Sequence, residues 1–231
     1  MFRYVAIVSV VLVSLYANEA LEAFKNKDYD KAFKLYKIKA KEGDNKAQGA
    51  LSYLYSNGLG TLKDSTLSLF WLQKAANGSN ANAQYDLGMK YLSGYGVNKD
   101  AKKAFDLLTK SSNLSNINAQ YNLALMYYNG DTVDQNVTKT AELLDKAAVQ
   151  GHKGAIQNIG RIYMQLLKFD KASKWLEINA QEGDDSSYYF LAEIYCELEK
   201  FKQAKKWAKK AMDTGNKDAE GLWQKYRLEK Y

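Results

Sequence analysis

The chain has no proline, one histidine and one cysteine among its 231 residues, and each scarcity excludes a class of protein. Without proline, no rigid break interrupts a succession of helices. One histidine and one cysteine cannot build a standard transition-metal site, so we expect no metal and no other cofactor. The single Cys196 cannot form a disulfide within the chain. Disulfide frameworks and metal centres are therefore excluded as the basis of this fold.

Motifs for catalysis and phosphate binding are missing as well. Neither G-x-G-x-x-G nor G-x-x-x-x-G-K-[ST] occurs, and no S-x-x-K is present. The only histidine, His152, directly follows Gly151, and we interpret it as a solvated turn residue. We therefore predict that the protein is not an enzyme.

The first 17 residues differ in character from the rest. A positive charge at Arg3, an apolar run of 11 residues from Val5 to Leu15 and a small residue at Ala17 predict a secretory signal peptide cleaved before Asn18. A membrane anchor is the alternative, but a span needs about 20 apolar residues. No cysteine follows the run, so we expect no lipid anchor. The mature protein is expected in the periplasm or outside the cell, without stable membrane insertion.

Positive charge exceeds negative charge, and the formal net charge is +7. Lysines at positions 202, 205, 206, 209 and 210 lie at helical spacing and could meet a membrane surface or nucleic acid. A charge run of this kind is usually a solvated face, and export argues against nucleic acid. We interpret these lysines as a solvated face and expect no nucleic-acid partner.

The most prominent feature of the sequence is a repeated pattern. A small residue recurs at intervals of 36, 36, 36, 32 and 32 residues, and a second, apolar register recurs between these positions at the same intervals. Each period therefore holds two helices. In the longer periods a glycine-containing loop joins the two helices. A glycine is placed to end the second helix, with Gly78 one residue early in its period. The pattern predicts an all-α fold of stacked antiparallel helix pairs, an α-solenoid. The first register is Ala47, Ala83, Ala119, Ala155, Ser187 and Ala219, and the second is Leu35, Trp71, Leu107, Leu143, Trp175 and Trp207.

One period carries a family resemblance. Residues 83–97 read AQYDLGMKYLSGYGV, with Asp100, Ala104 and Leu108 after them, and this run resembles a Sel1-like repeat of the tetratricopeptide superfamily. The two shorter periods resemble ordinary tetratricopeptide repeats. The resemblance implies a right-handed α-solenoid that serves as a scaffold or adaptor for other proteins. The expected organisation is a signal peptide (1–17), an N-terminal capping helix pair (18–45), three 36-residue Sel1-like repeats (46–153), two 32-residue tetratricopeptide-like repeats (154–216) and a C-terminal capping helix (217–231).

The resemblance also implies a binding surface. In tetratricopeptide superhelices the first helix of each repeat lines a concave groove, and the positions carried over hold many Tyr, Met and Arg residues, which are common in protein interfaces. The alternative is that these tyrosines pack between neighbouring helices. The expected partner is an unidentified protein or peptide, and we expect the protein to be a monomer. The predicted groove residues are Tyr53, Tyr85, Met89, Tyr121, Leu125, Tyr128, Arg161, Tyr189 and Glu193.

Two other functions compete with the scaffold. Cysteine-rich Sel1-like proteins have been linked to β-lactam binding or hydrolysis, but those proteins carry paired cysteines in each repeat, which this chain lacks. A secreted virulence factor that binds host proteins would share the groove and differ in destination. Cys196 itself is either buried and inert or exposed and able to pair with another chain.

A glycosylation motif lies in the loop of the third 36-residue repeat. Asn136 and Thr138 fit the Asn-x-Thr rule, and Asp134 supplies the acidic residue of the stricter bacterial pattern. An exported protein would present this loop to an oligosaccharyltransferase. We therefore predict N-glycosylation of Asn136.

The intact mass of the protein purified from its native organism tests both predictions that depend on export. We expect the mass of residues 18–231 plus a glycan, because export removes the signal peptide and exposes Asn136 to the transferase. An Asn136→Gln variant made in the same strain should lose only the glycan mass. The mass of the whole chain would contradict cleavage, and an unmodified mass would contradict glycosylation.

Overall fold

The computed structural model describes residues 19–231, so the predicted signal peptide lies outside the described residues. Within this range the regular structure is helical, with no strand, and the predicted all-α solenoid of consecutive helix pairs is confirmed. Helix α1 covers residues 19–25. The helices that follow are α2 (Tyr29–Lys41), α3 (Asn45–Asn57), α4 (Ser65–Asn77), α5 (Ala81–Ser93), α6 (Ala101–Asn113), α7 (Ile117–Asn129), α8 (Val137–Val149), α9 (Lys153–Gln165), α10 (Phe169–Gln181), α11 (Ser186–Glu197), α12 (Phe201–Asp213) and α13 (Lys217–Lys225), with a 3-10 turn at Leu228–Lys230.

Many of these helices begin at a polar residue whose side chain caps the first turn. Asp64 and Asp100 accept hydrogen bonds from backbone N–H groups three residues later, at 2.8 and 2.9 Å. Asn80 and Asn116 do the same for α5 and α7, at 3.0 and 2.9 Å. A cap of this kind contributes about 1 kcal/mol to stability. These caps recur with the 36-residue period, and they fix where α4, α5, α6 and α7 start.

By its internal contacts the chain divides into two units, Met1–Ala119 and Gln120–Tyr231. In the described part of the first unit, α3 packs against α2 and α4, and α5 packs against α4 and α6. In the second unit, α9 packs against α8 and α10, α11 against α10 and α12, and α13 against α11 and α12. Packing in each unit is thus mainly between helices that follow one another in sequence.

The residues of the repeat pattern form the core. Ala47, Leu51 and Tyr55 of α3 belong to one buried cluster, against which Trp71 packs. Ala83 and Leu87 of α5 are buried in a second cluster of the first unit, together with Leu72, and the half-buried Tyr91 packs against it. Small residues and larger apolar residues therefore occupy the seams that the pattern predicts.

The two helices of a pair approach closely where small residues face each other. The Ser52 hydroxyl donates to the Ser68 carbonyl at 2.8 Å, and the Thr140 hydroxyl lies 3.4 Å from the Ala124 carbonyl oxygen. A Cβ atom added to Gly160 would lie 3.5 Å from the Ala172 carbonyl oxygen. We call these buried small residues the crossing positions. They are Ser52, Gly88, Ala124, Gly160 and Ala192 in the first helices and Ser68, Ala104, Thr140, Ala172 and Ala204 in the second helices.

Glycine does not fill every left-handed turn after a second helix. Gly43 and Gly151 adopt positive φ as expected, but Ser79 and Ser115 take this role in two periods, with φ of 64° and 63°. The prediction that Gly78 supplies the stop is wrong, because its φ is −82°. The small size of Gly78 has a different consequence. A Cβ atom on it would overlap the side chain of Asn45, the first residue of α3.

The C-terminal segment is not one continuous helix over 217–231. Helix α13 ends at Lys225, and Arg227 then takes a φ of 49° that turns the chain into the 3-10 segment. Leu228 in that segment is fully buried. The Lys205 ammonium also donates to the carbonyl oxygen of Tyr231 at 3.1 Å. This segment therefore packs back on α12.

Replacing Gly160 by Ala tests the crossing in the α9/α10 pair. The added Cβ would lie 2.7 Å from Cγ of Leu176, which is 2% exposed and has no room to move. We expect a loss of about 1–3 kcal/mol in the free energy of unfolding, measured by chemical denaturation.

The matched control is Gly221→Ala in α13, where an added Cβ would meet nothing within 4 Å. This substitution should be neutral or should stabilise by up to about 1 kcal/mol through helix propensity. Equal stability of the Gly160→Ala variant and the original protein would contradict the tight crossing.

Candidate binding groove

A concave groove lies in the first unit, between the first helices of two successive repeats, α3 and α5. Its volume is about 1320 Å³, and it is open to solvent along one side. The structure brings three of the predicted groove residues into its lining, namely Tyr53, Tyr85 and Met89. We call this surface the α3/α5 groove.

Tyrosine rings make up much of the α3/α5 groove. Tyr53 is 53% exposed, and its ring meets that of Phe24 edge-on with 6.0 Å between the centroids. Tyr95, in the loop after α5, is 73% exposed and lies 4.7 Å from the Lys90 ammonium. Tyr85 is half-buried. Rings of this kind offer apolar area together with a hydroxyl that can form hydrogen bonds.

One carboxylate, that of Asp86, also lines the groove. Surrounding protein removes part of its water and raises its pKa, while the Lys90 ammonium lowers the pKa in part. The side chain is still accessible from the open side of the groove. No ion pair within 4.0 Å and no hydrogen bond to this carboxylate is present in the described part of the chain. A cation that entered the groove would therefore be favoured beside Asp86.

Asparagine side chains at the rim of the groove are occupied by the fold. The Asn45 side chain donates to the carbonyl of Gly78. Asn80 donates to the carbonyl of Asn45 at 2.9 Å, and Asn116 donates to the side-chain oxygen of Asn82 at 2.8 Å. These bonds join successive repeats, so the rim supports the groove, and the exposed rings of Tyr53 and Tyr95 form part of its surface.

Two of the three buried glutamines make hydrogen bonds that the sequence analysis did not predict. Gln48 donates to the carbonyl of Ala40 at 3.2 Å, and Gln84 donates to the carbonyl of Ala76 at 3.0 Å. Each bond ties the first helix of a repeat to the end of the preceding helix. The 36-residue interval between the two glutamines was the available signal, because a polar residue at a core-facing position that recurs with the repeat needs a structural reason.

In the second unit, Tyr121 has a packing role. Its ring stacks on that of His152 at 4.2 Å between centroids, and it fills the space beside Gly154. His152 accepts a hydrogen bond from the Ala155 N–H at 3.1 Å through Nδ1 and so caps α9. His152 therefore lies at a turn, as predicted, but the prediction that it is solvated is wrong, because the residue is half-buried and structural.

The other predicted groove residues of the second unit lie on α7, α9 and α11. Leu125 is half-buried and Tyr128 is 36% exposed. The Arg161 guanidinium lies 5.9 Å from the ring of Phe190, which Tyr189 meets edge-on with 5.7 Å between centroids.

Glu193 of α11 lies near a second carboxylate and an ammonium group. Burial and the nearby Glu197 raise the pKa of Glu193, and Lys225 lowers it in part. A binding role for Glu193 and for the other predicted residues of this unit stays a prediction.

Of the two alternatives for Cys196, the structure shows the buried thiol. It is 2% exposed, and burial raises the pKa of its thiol to about 11, with a further contribution from Glu197. The thiolate is the reactive form of cysteine, so this thiol is inert at neutral pH.

Asn136 has a structural role that its sequence motif did not reveal. It is exposed, it caps α8, and its side-chain oxygen accepts from the Lys139 N–H at 2.9 Å. Asp64 and Asp100 cap α4 and α6 at the equivalent positions of the preceding repeats. A helix cap therefore explains an Asn at this position without glycosylation, and the glycan stays a prediction.

No group of three or more His, Cys, Asp or Glu side chains in residues 19–231 could hold a metal ion. None of the helices described there combines the length and the apolar character that crossing a membrane requires.

The paired helices and the groove between first helices define an α-solenoid of the tetratricopeptide type. The family model of the Sel1 repeat matches residues 22–44, 45–80, 81–116 and 117–152, which is more than half of the chain. The chain belongs to the Sel1 repeat family. Proteins with this repeat are typically non-catalytic scaffolds for protein–protein interaction. Among curated proteins, none matches this chain.

Two solved bacterial structures are similar to the chain. A Sel1 repeat protein from Oxalobacter formigenes is 26% identical, with a TM-score of 0.66 over 88% of this chain and 84% of that one. A protective antigen present in uropathogenic Escherichia coli strains, displaying an SLR fold, is 28% identical with a TM-score of 0.59. That match covers 81% of this chain and 42% of the antigen. Both similarities support the fold and the family.

Proposed function

We propose that this protein is a non-catalytic scaffold or adaptor that binds a protein or peptide segment in the α3/α5 groove. The observation that carries the proposal is the pair of exposed tyrosine rings in this groove, Tyr53 and Tyr95, with Tyr85 and Met89 also in its lining. Tyrosine and methionine suit this task, because they combine large contact area with adaptable or amphipathic side chains.

The shape of the groove favours an extended segment over a small molecule. Small-molecule pockets enclose most of their ligand and measure roughly 300–1,000 Å³. The α3/α5 groove is larger, at about 1320 Å³, and open along one side. The bound segment should offer apolar side chains to the tyrosines and a positive charge to Asp86, whose carboxylate has no hydrogen-bond partner in the described residues.

Export to the periplasm or beyond the cell is part of the proposal. It rests on the N-terminal sequence pattern, as does glycosylation at the exposed Asn136. Action as a secreted virulence factor would use the same groove, and the similarity to the protective antigen gives this destination some support. We do not propose β-lactam hydrolysis, because the one cysteine is buried and nothing in the described groove supplies an activated nucleophile.

Site-specific photo-crosslinking in the native organism tests the proposal. A photoreactive amino acid replaces Tyr53 in the groove, and the control carries it at Phe70, which is 46% exposed on α4 and does not line the groove. We expect a discrete adduct with one protein from position 53 and none from position 70. In a Met89→Ala background the yield should fall by about tenfold, as for the loss of an interface contact worth roughly 1–2 kcal/mol.

Two results would contradict the groove as a binding site. One is the absence of an adduct at position 53 while the protein is folded, as judged by its helical circular dichroism. The other is the same set of adducts from both positions, which would indicate nonspecific contact.

A further inference from the structure

The second helix of the last pair, α12, carries much more positive charge than the second helices of the two pairs before it. Helix α2 also contains five lysines and one acidic residue, but there Lys39 is buried and Lys31 pairs with Glu19. Helices α8 and α10 each contain two lysines and two acidic residues, whereas α12 contains five lysines and one acidic residue, Asp213. All three helices bury small and apolar residues against the first helix of their repeat. The fold therefore does not require the additional charge on α12.

Four of these lysines face solvent without an acidic partner. Lys202, Lys206, Lys209 and Lys210 are exposed, and none forms an ion pair within 4.0 Å with any acidic group of residues 19–231. At 100° per residue they span an arc of about 100° on the helix. We call them the lysine face. Lys205 is apart from it, because its ammonium donates to backbone carbonyls of the C-terminal segment.

The lysine face places like charges side by side. Lys202 and Lys206 are four residues apart, as are Lys206 and Lys210, and equal charges at this spacing oppose helix formation. Two aromatic rings hold the side chains in place. The Lys206 ammonium lies 5.0 Å from the ring of Trp207, and the Lys210 ammonium lies 4.9 Å from Trp207 and 5.3 Å from Tyr188. The ammonium groups of Lys206 and Lys210 thus lie against the same ring, and a negative partner would relieve the repulsion between them.

We propose that the lysine face binds an anionic lipid surface. Charge complementarity supplies the attraction, because each lysine beside such a surface strengthens binding on the order of fivefold. A protein partner fits less well. No residue of α12 is among the exposed large hydrophobic side chains of the described chain, so the face lacks the apolar centre on which protein interfaces depend.

Nucleic acid also fits less well than lipid. The helix α12 contains no arginine, the residue that forms bidentate contacts with phosphates and bases. Trp207 is 8% exposed, so its ring is not free to stack on a base. Binding to a surface of lipid headgroups requires neither a bidentate arginine contact nor a ring that stacks on a base. The apolar side of α12 packs inside the fold, so the protein would lie on the headgroups without inserting.

Vesicle co-sedimentation with the purified protein tests this proposal. We expect binding to phosphatidylcholine vesicles that contain phosphatidylglycerol, none to vesicles of phosphatidylcholine alone, and release at about 0.5 M salt, where charges are screened. The variant K202Q/K206Q/K209Q/K210Q should bind a few hundredfold more weakly, from roughly fivefold per lysine. The corresponding variant with four Lys→Arg changes should still bind, because it keeps the charge.

The matched control removes the same charge elsewhere. The variant K34Q/K63Q/K99Q/K146Q changes four exposed lysines that are scattered over the chain, and it should keep most of the binding. Circular dichroism checks that all variants are folded, and K209Q/K210Q alone should give an intermediate loss.

Three outcomes would overturn the proposal. The protein could fail to distinguish the two kinds of vesicle at low salt. The two four-lysine Gln variants could lose binding equally, which would indicate a general charge effect. A single-stranded oligonucleotide could bind through the lysine face while the phosphatidylglycerol vesicles do not, which would identify a different polyanion.

Discussion

The structure depends on how closely the two helices of each pair can approach. At the crossing positions a serine, glycine, alanine or threonine of one helix lies against the backbone of the other, as Ser52 does at the carbonyl of Ser68. A larger side chain there would push the helices apart and open the seam. Leu51 and Ile159 are fully buried in such seams, and burying a side chain of this size contributes about 1.5–3 kcal/mol. The core can fill only because the crossing positions are small.

This constraint also explains how residues that stabilise the fold and residues predicted to bind a partner can lie next to each other in the sequence. Each crossing position of a first helix is followed by one of the predicted groove residues, in the order Tyr53, Met89, Leu125, Arg161 and Glu193. The crossing residue faces the partner helix, and the next residue points about 100° away from it. The small residue hardly varies from repeat to repeat, whereas its neighbour ranges from aromatic to charged. A binding surface can therefore change along the solenoid without disturbing its packing.

The helices could be predicted from the sequence because their pattern repeats. Helices α1 and α2 lie in the predicted N-terminal helix pair, and the residues of the first register are buried in the core. In the second register Trp71 and Leu107 are only half-buried, and the neighbouring Leu72 and Leu108 are buried instead. Features that depend on one specific neighbour were not predictable. Gly78 makes room for Asn45, and His152 stacks on Tyr121 while capping α9. The desolvation of Asp86 likewise arises only because α3 and α5 lie side by side in the fold. The sequence around Asp86 contains no pattern that predicts this packing.

The free energy of unfolding of two variants at adjacent positions tests this account most directly. Ser52 is buried at the crossing and Tyr53 is 53% exposed in the groove. Ser52→Leu should destabilise the protein by about 1–3 kcal/mol or more, because the larger side chain separates α3 from α4. Tyr53→Ala should cost less, about 1 kcal/mol at most, because it removes only an exposed ring with its edge-on contact to Phe24. Equal losses from the two variants, or a larger loss from Tyr53→Ala, would contradict the division between crossing and groove.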